Sequence, residues 1–323
     1  MTRITRRAAI AGATLLPLAA PRAQVPWPDR PVRLVVPFTP GGSTDILARA
    51  MGQRLAEIFG QPFVIENRPG AGGTLGSEQV FRSAPDGHTL MMGHIGTLAA
   101  NPALYRNLTF DIAGFVPVAL VANIANFLVV TNRLEASDVR SLVALAKRDP
   151  GRLTYGSGGN GSAAHIAMVA FMEETGTEMT HVPYRGTGPM MTDLISGTIN
   201  LTMTGGPPAL PPVRAGQLRA LGIASLERLP SAHDIPTIAE QGLAGFDVQQ
   251  WYGIVAPPGT PAPLVARLNE ACNRLLGEAP FRARLETEGA TAQPMTPAQF
   301  GDYITRERER WGRLIRRNNV GLG

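Results

Sequence analysis

One cysteine and one lysine stand among 323 residues, and aromatic side chains make up only 6% of the chain. A single cysteine cannot form an internal disulfide. Cys272 follows Leu268 and precedes Leu275 at helical spacing, which favours a buried structural thiol over a nucleophile. The sole lysine, Lys147, falls in a surface-like helical stretch before Asp149-Pro150-Gly151, so neither a P-loop lysine nor a Schiff-base lysine is available. No serine has glycine two residues away on each side, which removes the G-x-S-x-G nucleophile elbow. The five histidines lie far apart and none belongs to an H-E-x-x-H pattern, so nothing calls for a metal or another cofactor. Beyond the amino terminus, no apolar run reaches the roughly 20 residues that a membrane-spanning helix needs.

The formal net charge of +5 raises the question of a nucleic-acid partner, and the location of the charge answers it. Arg3, Arg6, Arg7 and Arg22 occur before residue 24 with no acid beside them, so a chain starting near Gln24 is close to neutral. Six further arginines and two glutamates occupy residues 306 to 317. There Phe300, Ile304, Trp311 and Ile315 form an apolar stripe, so the arginines read as the solvated face of a helix. The first 23 residues have the layout of an export signal: a basic start, an apolar run from Ala8 to Ala20, and Ala23 before Gln24. Thr5-Arg6-Arg7 with Ile10 partly resembles a twin-arginine signal. A periplasmic location is therefore expected.

After the leader, extended and helical segments alternate. Val32 to Pro37 precedes a helix from Ser43 to Phe59, and Phe63 to Glu66 precedes one near Thr74 to Arg82. Further extended runs follow at His88 to Met92, Leu128 to Thr131, Leu153 to Tyr155, Thr180 to Pro183, Ile199 to Met203 and Leu218 to Ala224. Strand-helix alternation implies parallel α/β sheets. The last third is helical, at Pro261 to Leu276, Pro280 to Glu288 and Pro297 to Arg317, and Thr296-Pro297-Ala298-Gln299 is a capping box. This helical tail is expected to pack back on the amino-terminal domain. The chain then divides into an export signal (1–23), a discontinuous domain (24–126 with 248–323) and an inserted α/β domain (127–247), joined by two connecting strands with a cleft between.

Two loops have the chemistry of a site. Pro37-Phe38-Thr39-Pro40-Gly41-Gly42-Ser43-Thr44-Asp45 follows a strand and opens a helix, where unpaired N–H groups and the helix dipole favour an anion. The same residues also suit an ordinary capped turn with an acid complementing the dipole. Tyr155-Gly156-Ser157-Gly158-Gly159-Asn160-Gly161-Ser162 has the same placement and matches G-x-G-x-x-G literally. A dinucleotide site is rejected, because Thr180-His181-Val182-Pro183-Tyr184 lacks the acid such a site needs on its next strand. Two glycine-rich anion nests, one per domain, favour a two-sided clamp. His165 suits either ligand contact or capping, and Arg185 either anion pairing or an exposed structural role.

Taken in order and spacing, these blocks resemble the extracytoplasmic receptors of the tripartite tricarboxylate transporter family, the Bug receptors. The resemblance rests on Trp27-Pro28, Pro31 to Phe38, Pro40-Gly41-Gly42 with Asp45, and Glu66 to Gly73. It continues through Pro85-Asp86-Gly87, Tyr155-Gly156-Ser157 with Gly161-Ser162 and His165, and Val182 to Gly186. Asp193-Leu194 with Gly197, Leu218 to Leu221, Trp251 with Gly253, Gly259-Thr260-Pro261 and Glu307 with Trp311 extend it over essentially the whole mature chain. It implies the periplasmic-binding-protein type II, or Venus-flytrap, architecture of two α/β domains around a ligand cleft. It also implies capture of a di- or tricarboxylate, an acidic amino acid or an aromatic acid, and delivery to a two-component permease by a receptor that acts as a monomer without nucleic acid. Carried over position by position, it points to Phe38, Thr39, Gly42, Ser43, Thr44, Asp45, Ser157, Gly161, Ser162 and His165. Arg185, Gly186 and Thr187 join them in the site expected here. One departure touches the distal pocket: where the family commonly has an acid and then a Phe-Asp pair after the glycine, this chain has Asn200 and Met203-Thr204-Gly205-Gly206.

Two other classes stay open on the sequence. One is a signalling subunit that senses the same ligand. The other is a cleft lyase or decarboxylase using Asp45 and His165 as an acid and base, which requires the two side chains within hydrogen-bond reach.

Overall fold

A computed structural model describes residues 27–287, 289–318 and 320. The export signal expected over residues 1–23 lies outside the described residues. The elements run β1 (Val32–Val36), α1 (Ser43–Phe59), β2 (Phe63–Asn67), α2 (Thr74–Phe81), β3 (Thr89–His94), α3 (Asn101–Leu104) and β4 (Val116–Thr131). They continue with α4 (Val139–Arg148), β5 (Thr154–Ser157), α5 (Ala163–Thr175), β6 (Thr180–Pro183), α6 (Thr187–Ser196), β7 (Leu201–Gly205), α7 (Gly206–Arg214) and β8 (Leu218–Ile223). The last are β9 (Gln249–Ala256), α8 (Ala262–Gly277), α9 (Ala279–Thr287), β10 (Ala290–Ala292) and α10 (Pro297–Arg317).

The strands form one curled sheet in the order β2-β1-β3-β9-β4-β7-β5-β6, with β8 and β10 also pairing to β4. At both ends the neighbours are parallel, as strand-helix alternation predicts: β2, β1 and β3 on one side, and β7, β5 and β6 on the other. The middle departs from that expectation. β3-β9, β9-β4 and β4-β7 are all antiparallel. The reason is connectivity, since β4 carries the chain out of the first half and β9 brings it back.

β4 is the structural axis. Its residues Val116 to Ala125 pair with β9, whereas Asn126 to Val130 pair with β7 and Phe127 to Thr131 with β8. Nearly every side chain in it is buried, which explains a continuous apolar run without the alternation of a half-exposed strand. Asn126 marks the change of partners. Its Nδ2 donates to Val248 O at 2.7 Å, and its own carbonyl accepts Ala224 N–H, so both edges of the step are held.

The carboxyl-terminal helices return to the first half. α8 buries Val265, Leu268, Cys272, Leu275 and Leu276, and Cys272 is a buried thiol whose pKa burial pushes up to about 12. α10 buries Phe300, Ile304, Trp311 and Ile315, the stripe read from the sequence, and starts at the capping box of Thr296 and Gln299. It crosses the π-helical turn Gly96–Ala100, where the Arg308 guanidinium donates to Leu98 O at 2.9 Å. One carboxylate oxygen of Glu307 accepts both indole N–H groups nearby, from Trp251 at 2.9 Å and Trp311 at 2.6 Å.

Candidate ligand-binding site

The first loop is built from the carboxylate behind it. Asp45 is 4% exposed; Oδ2 accepts Gly41 N–H at 3.1 Å and Arg49 Nε–H at 3.0 Å, and Oδ1 accepts Asn67 Nδ2–H at 3.0 Å. Burial alone raises its pKa, but the hydrogen bonds from Arg49, Gly41 and Asn67 outweigh that and hold it below the usual value. Asn67 also donates to Phe38 O, tying β2 to the loop. Gly41 adopts φ +88°, which turns the chain into α1, and Gly42 caps the helix without any side-chain bond. The N–H groups of Ser43 and Thr44 therefore have no acceptor among the described residues.

The second loop repeats the arrangement on β5 and α5. Ser162 caps α5 by accepting His165 N–H, and Gly161 N–H donates to His165 Nδ1 at 3.1 Å. Ser157 is fully buried: its Oγ donates to Gly159 O at 3.0 Å and lies 2.7 Å from His181 Nε2. Behind the loop His181 stacks between Tyr155 and His165, with ring centroids 4.8 Å and 4.2 Å away. The N–H groups of Ala163 and Ala164 are likewise without acceptors among the described residues.

The two loops face each other. The start of α6 closes the third side: a Cβ on Gly186 would lie 1.7 Å from Thr39 Oγ1, and one on Gly42 would lie 3.1 Å from Thr187 Oγ1. α7 begins beside them, where a Cβ on Gly205 would meet Ser43 Oγ at 2.7 Å. Between them lies an inner chamber with about 30 Å³ of free space, walled by Ser43, Thr44, Ser162, Thr187, Phe38 and Gly42 from the expected set. Gly158, Ala163, Ala164, His94, Thr204, Gln250 and Tyr252 complete it, and no charged side chain is among them. α1, α5 and α6 all direct their amino termini into this space, so its polarity comes from helix dipoles, N–H groups and hydroxyls.

An outer cavity of about 460 Å³ adjoins it, sharing Phe38 and Gly158. Its walls include the Pro69 to Gly73 turn, Tyr105 and Tyr184, and Arg185 is the charged residue in it. Both tyrosine hydroxyls are engaged, Tyr105 donating to Asn160 O and Tyr184 to Asp193.

Of the residues expected from the sequence, Thr39, Asp45, Ser157, Gly161, His165 and Gly186 stand behind these walls and shape the loops. Asp45 and His165 have separate partners and no hydrogen bond to each other, contrary to what an acid and base pair requires. Sequence reasoning missed His94, Gln250, Tyr252 and the chamber role of Thr204. Asn200, read as close to the cleft, lies at the other end of β7, where its Oδ1 accepts Thr154 N–H at 2.8 Å. Among the described residues no group of three or more His, Cys, Asp or Glu could hold a metal ion, and no helix is long and apolar enough to cross a membrane.

Known proteins share this architecture. Rpa4515 of R. palustris, solved with adipate, superposes with a TM-score of 0.89 at 37% identity over 92% of this chain and 100% of its own. MatC of Rhodopseudomonas palustris, solved with bound malate, gives 0.85 at 36% identity over 90% of this chain and 100% of its own. Protein BugT of Bordetella pertussis (strain Tohama I) is 34% identical over 307 residues, covering 94% of each chain. Residues 47–320 match TctC, the tripartite tricarboxylate transporter family receptor. The fold, the paired loops and this match together make the chain a member of the tripartite tricarboxylate transporter receptor family, with its two-lobed α/β solute-binding architecture.

Proposed function

We propose that the protein captures a small carboxylate outside the cytoplasm and hands it to a two-component permease, acting as a monomer and without catalysing a reaction. The observation that carries this reading is the convergence of α1, α5 and α6 on a chamber that contains no charged side chain. Such a chamber offers an anion several N–H donors, and its one imidazole, His94, is kept neutral by burial. The adipate and malate bound by its structural relatives support a carboxylate as the ligand.

The chamber takes the carboxyl group, held by Ser43, Thr44, Ser162 and Thr187 with the N–H groups of Ala163 and Ala164. Thr39, Gly42, Asp45, Ser157, Gly161, His165 and Gly186 hold the loops in place, and the body of the ligand extends past Phe38 toward Arg185. A charge-assisted hydrogen bond contributes about 1.5 to 3 kcal/mol. Three or four reach the roughly 8 kcal/mol of micromolar affinity when pre-formed loops keep the ordering cost small.

The free space of about 30 Å³ corresponds to a closed clamp, so access requires the halves to part. The division into 24–126 with 248–323 and 127–247 is supported by β4 changing partners at Ala125 to Asn126 and by the return through Val248. Opening would then bend β4 and β9 at that step. On α10, Arg308, Arg310 and Arg317 are engaged by Leu98 O, Asp247 O and Glu173, which supports a structural face over a nucleic-acid patch.

A thermal-shift screen of carboxylates on the mature chain tests the reading. Ligand at 100 times its dissociation constant adds about 2.7 kcal/mol, a shift of a few degrees. Turnover of any acid, or no shift across di-, tri- and aromatic carboxylates, would overturn it.

A further inference from the structure

His94 ends β3 at the carboxyl edge of the sheet and is 3% exposed. Its Nδ1 accepts two backbone N–H groups, from Gly96 at 2.7 Å and Thr97 at 3.3 Å. A ring nitrogen that accepts hydrogen bonds carries no proton. Burial keeps the imidazole neutral, moving its pKa down to about 4, so its one proton sits on Nε2.

That Nε2–H has no acceptor among the described residues. The ring is also fixed, with Phe38 stacked on it at 4.6 Å and 21° and Tyr252 edge-on at 5.9 Å and 87°. Rotation about χ2 would break the contacts to Gly96 and Thr97. Neither neighbouring polar side chain pairs with it: the Tyr252 hydroxyl donates to Gln250 Oε1, and the Gln250 amide donates to Asn126 Oδ1. His94 and these two neighbours wall the inner chamber together with Ser43 and Thr44. The Nε2–H is thus a donor without a protein partner on a ring that walls the chamber into which the helix amino termini point.

We propose that His94 is a ligand-binding residue whose Nε2–H donates to the carboxylate seated in the inner chamber, alongside the free N–H groups of Ser43 and Thr44. The inference rests on the carboxylate-receptor reading and adds a neutral side-chain donor from β3 to the N–H groups of the two loops. The imidazole contributes direction without net charge, so the anion is held by dipoles alone.

Adipate and malate serve as probes on the full mature chain. In two-bond proton–nitrogen spectra of the ¹⁵N-labelled wild type, the His94 ring should show a protonated Nε2, and this N–H should move downfield when the acid is added. By calorimetry His94→Phe, which keeps the ring stack and removes the donor, should weaken binding about 10- to 100-fold. His94→Gln, which restores a donor at similar reach, should recover most of the loss. If an acid binds but the His94 signals do not move, or the Phe variant binds as tightly as wild type, the assignment of His94 is wrong while the receptor reading stands. If neither acid shifts the melting temperature or the spectra, the His94 assignment falls, and the receptor reading falls with it only when the tri- and aromatic carboxylates of the wider screen also give no shift. The wild-type spectra decide the matter should either variant fold poorly.

Discussion

Ser157 Oγ lies 2.7 Å from Nε2 of His181, beneath the second loop. The same hydroxyl lies 3.0 Å from Gly159 O and accepts Gly159 N–H at 3.1 Å, so it is held by three contacts. Ser157 is fully buried and lines neither cavity, so the pair braces the loop from behind.

The same pair sets a pH dependence. Burial moves His165 down to about 3 and His181 to about 4, and His94 to about 4, from an ordinary value of 6.5. Folded-state values depressed in this way mean that the unfolded chain takes up protons first as pH falls. The stability is whole above pH 6.5 and declines through the interval down to about 4, at up to about 1.4 kcal/mol per pH unit for each histidine. Urea unfolding at pH 7 and pH 5 should show that loss, and His181→Phe should remove about one proton's share of it. Equal unfolding free energies at the two pH values would refute the account.

Gly42 and Gly161 should respond differently to valine. Gly42 has φ −86°, which any residue accepts, and its added carbons point at Thr187 across the gap. Gly42→Val should cost under about 1 kcal/mol of stability yet weaken ligand at least about tenfold by holding the halves apart. Gly161 has φ +78°, a conformation valine adopts only under strain, and a Cβ there would also press across the gap to within 2.3 Å of Asn101 Oδ1. Gly161→Val should destabilise the fold itself by about 2 kcal/mol or more. Melting temperature and ligand affinity measured on both variants separate the two effects.

Asp45→Asn should loosen the first loop. The amide keeps the shape but loses the charge that Arg49, Gly41 N–H and Asn67 converge on. A loss of about 1 to 3 kcal/mol is expected, together with weaker ligand binding. An unchanged affinity would show that the loop holds its form without this carboxylate.

Glu307→Ala should leave two indole donors buried and unpaired, because one oxygen serves both Trp251 and Trp311. The expected cost is about 3 kcal/mol, with ligand affinity preserved, since the side chain lines neither cavity. Intrinsic tryptophan fluorescence against denaturant follows both changes directly.

Much of this was legible in the residues. α1 and α10 fall on the predicted limits because their starts are chemically marked, one by a glycine pair after a strand and the other by a capping box. β9 and the first three-quarters of β4 were missed. A strand buried on both faces shows no period of two, and Pro117, Asn123 and Asn126 in β4 look like interruptions until the register shift near Pro117 and the partner change at Asn126 are seen. In the site, the loop residues announced themselves through glycine and hydroxyl content. His94 did not, although a histidine at the carboxyl end of a strand, followed by Gly96-Thr97, was a usable signal for a side chain that caps its own turn.

The position of β9 bears on biogenesis. It sits between β3 and β4, so strands made early in synthesis have an empty slot until residue 256 is available, and α10 covers them only after residue 317. A nascent chain therefore lacks the central strand of its sheet, whatever its length short of residue 256. Contacts of such sequence separation make folding slow and late, so the unfilled slot beside β3 and β4 exposes strand edges to wrong partners until the chain is finished.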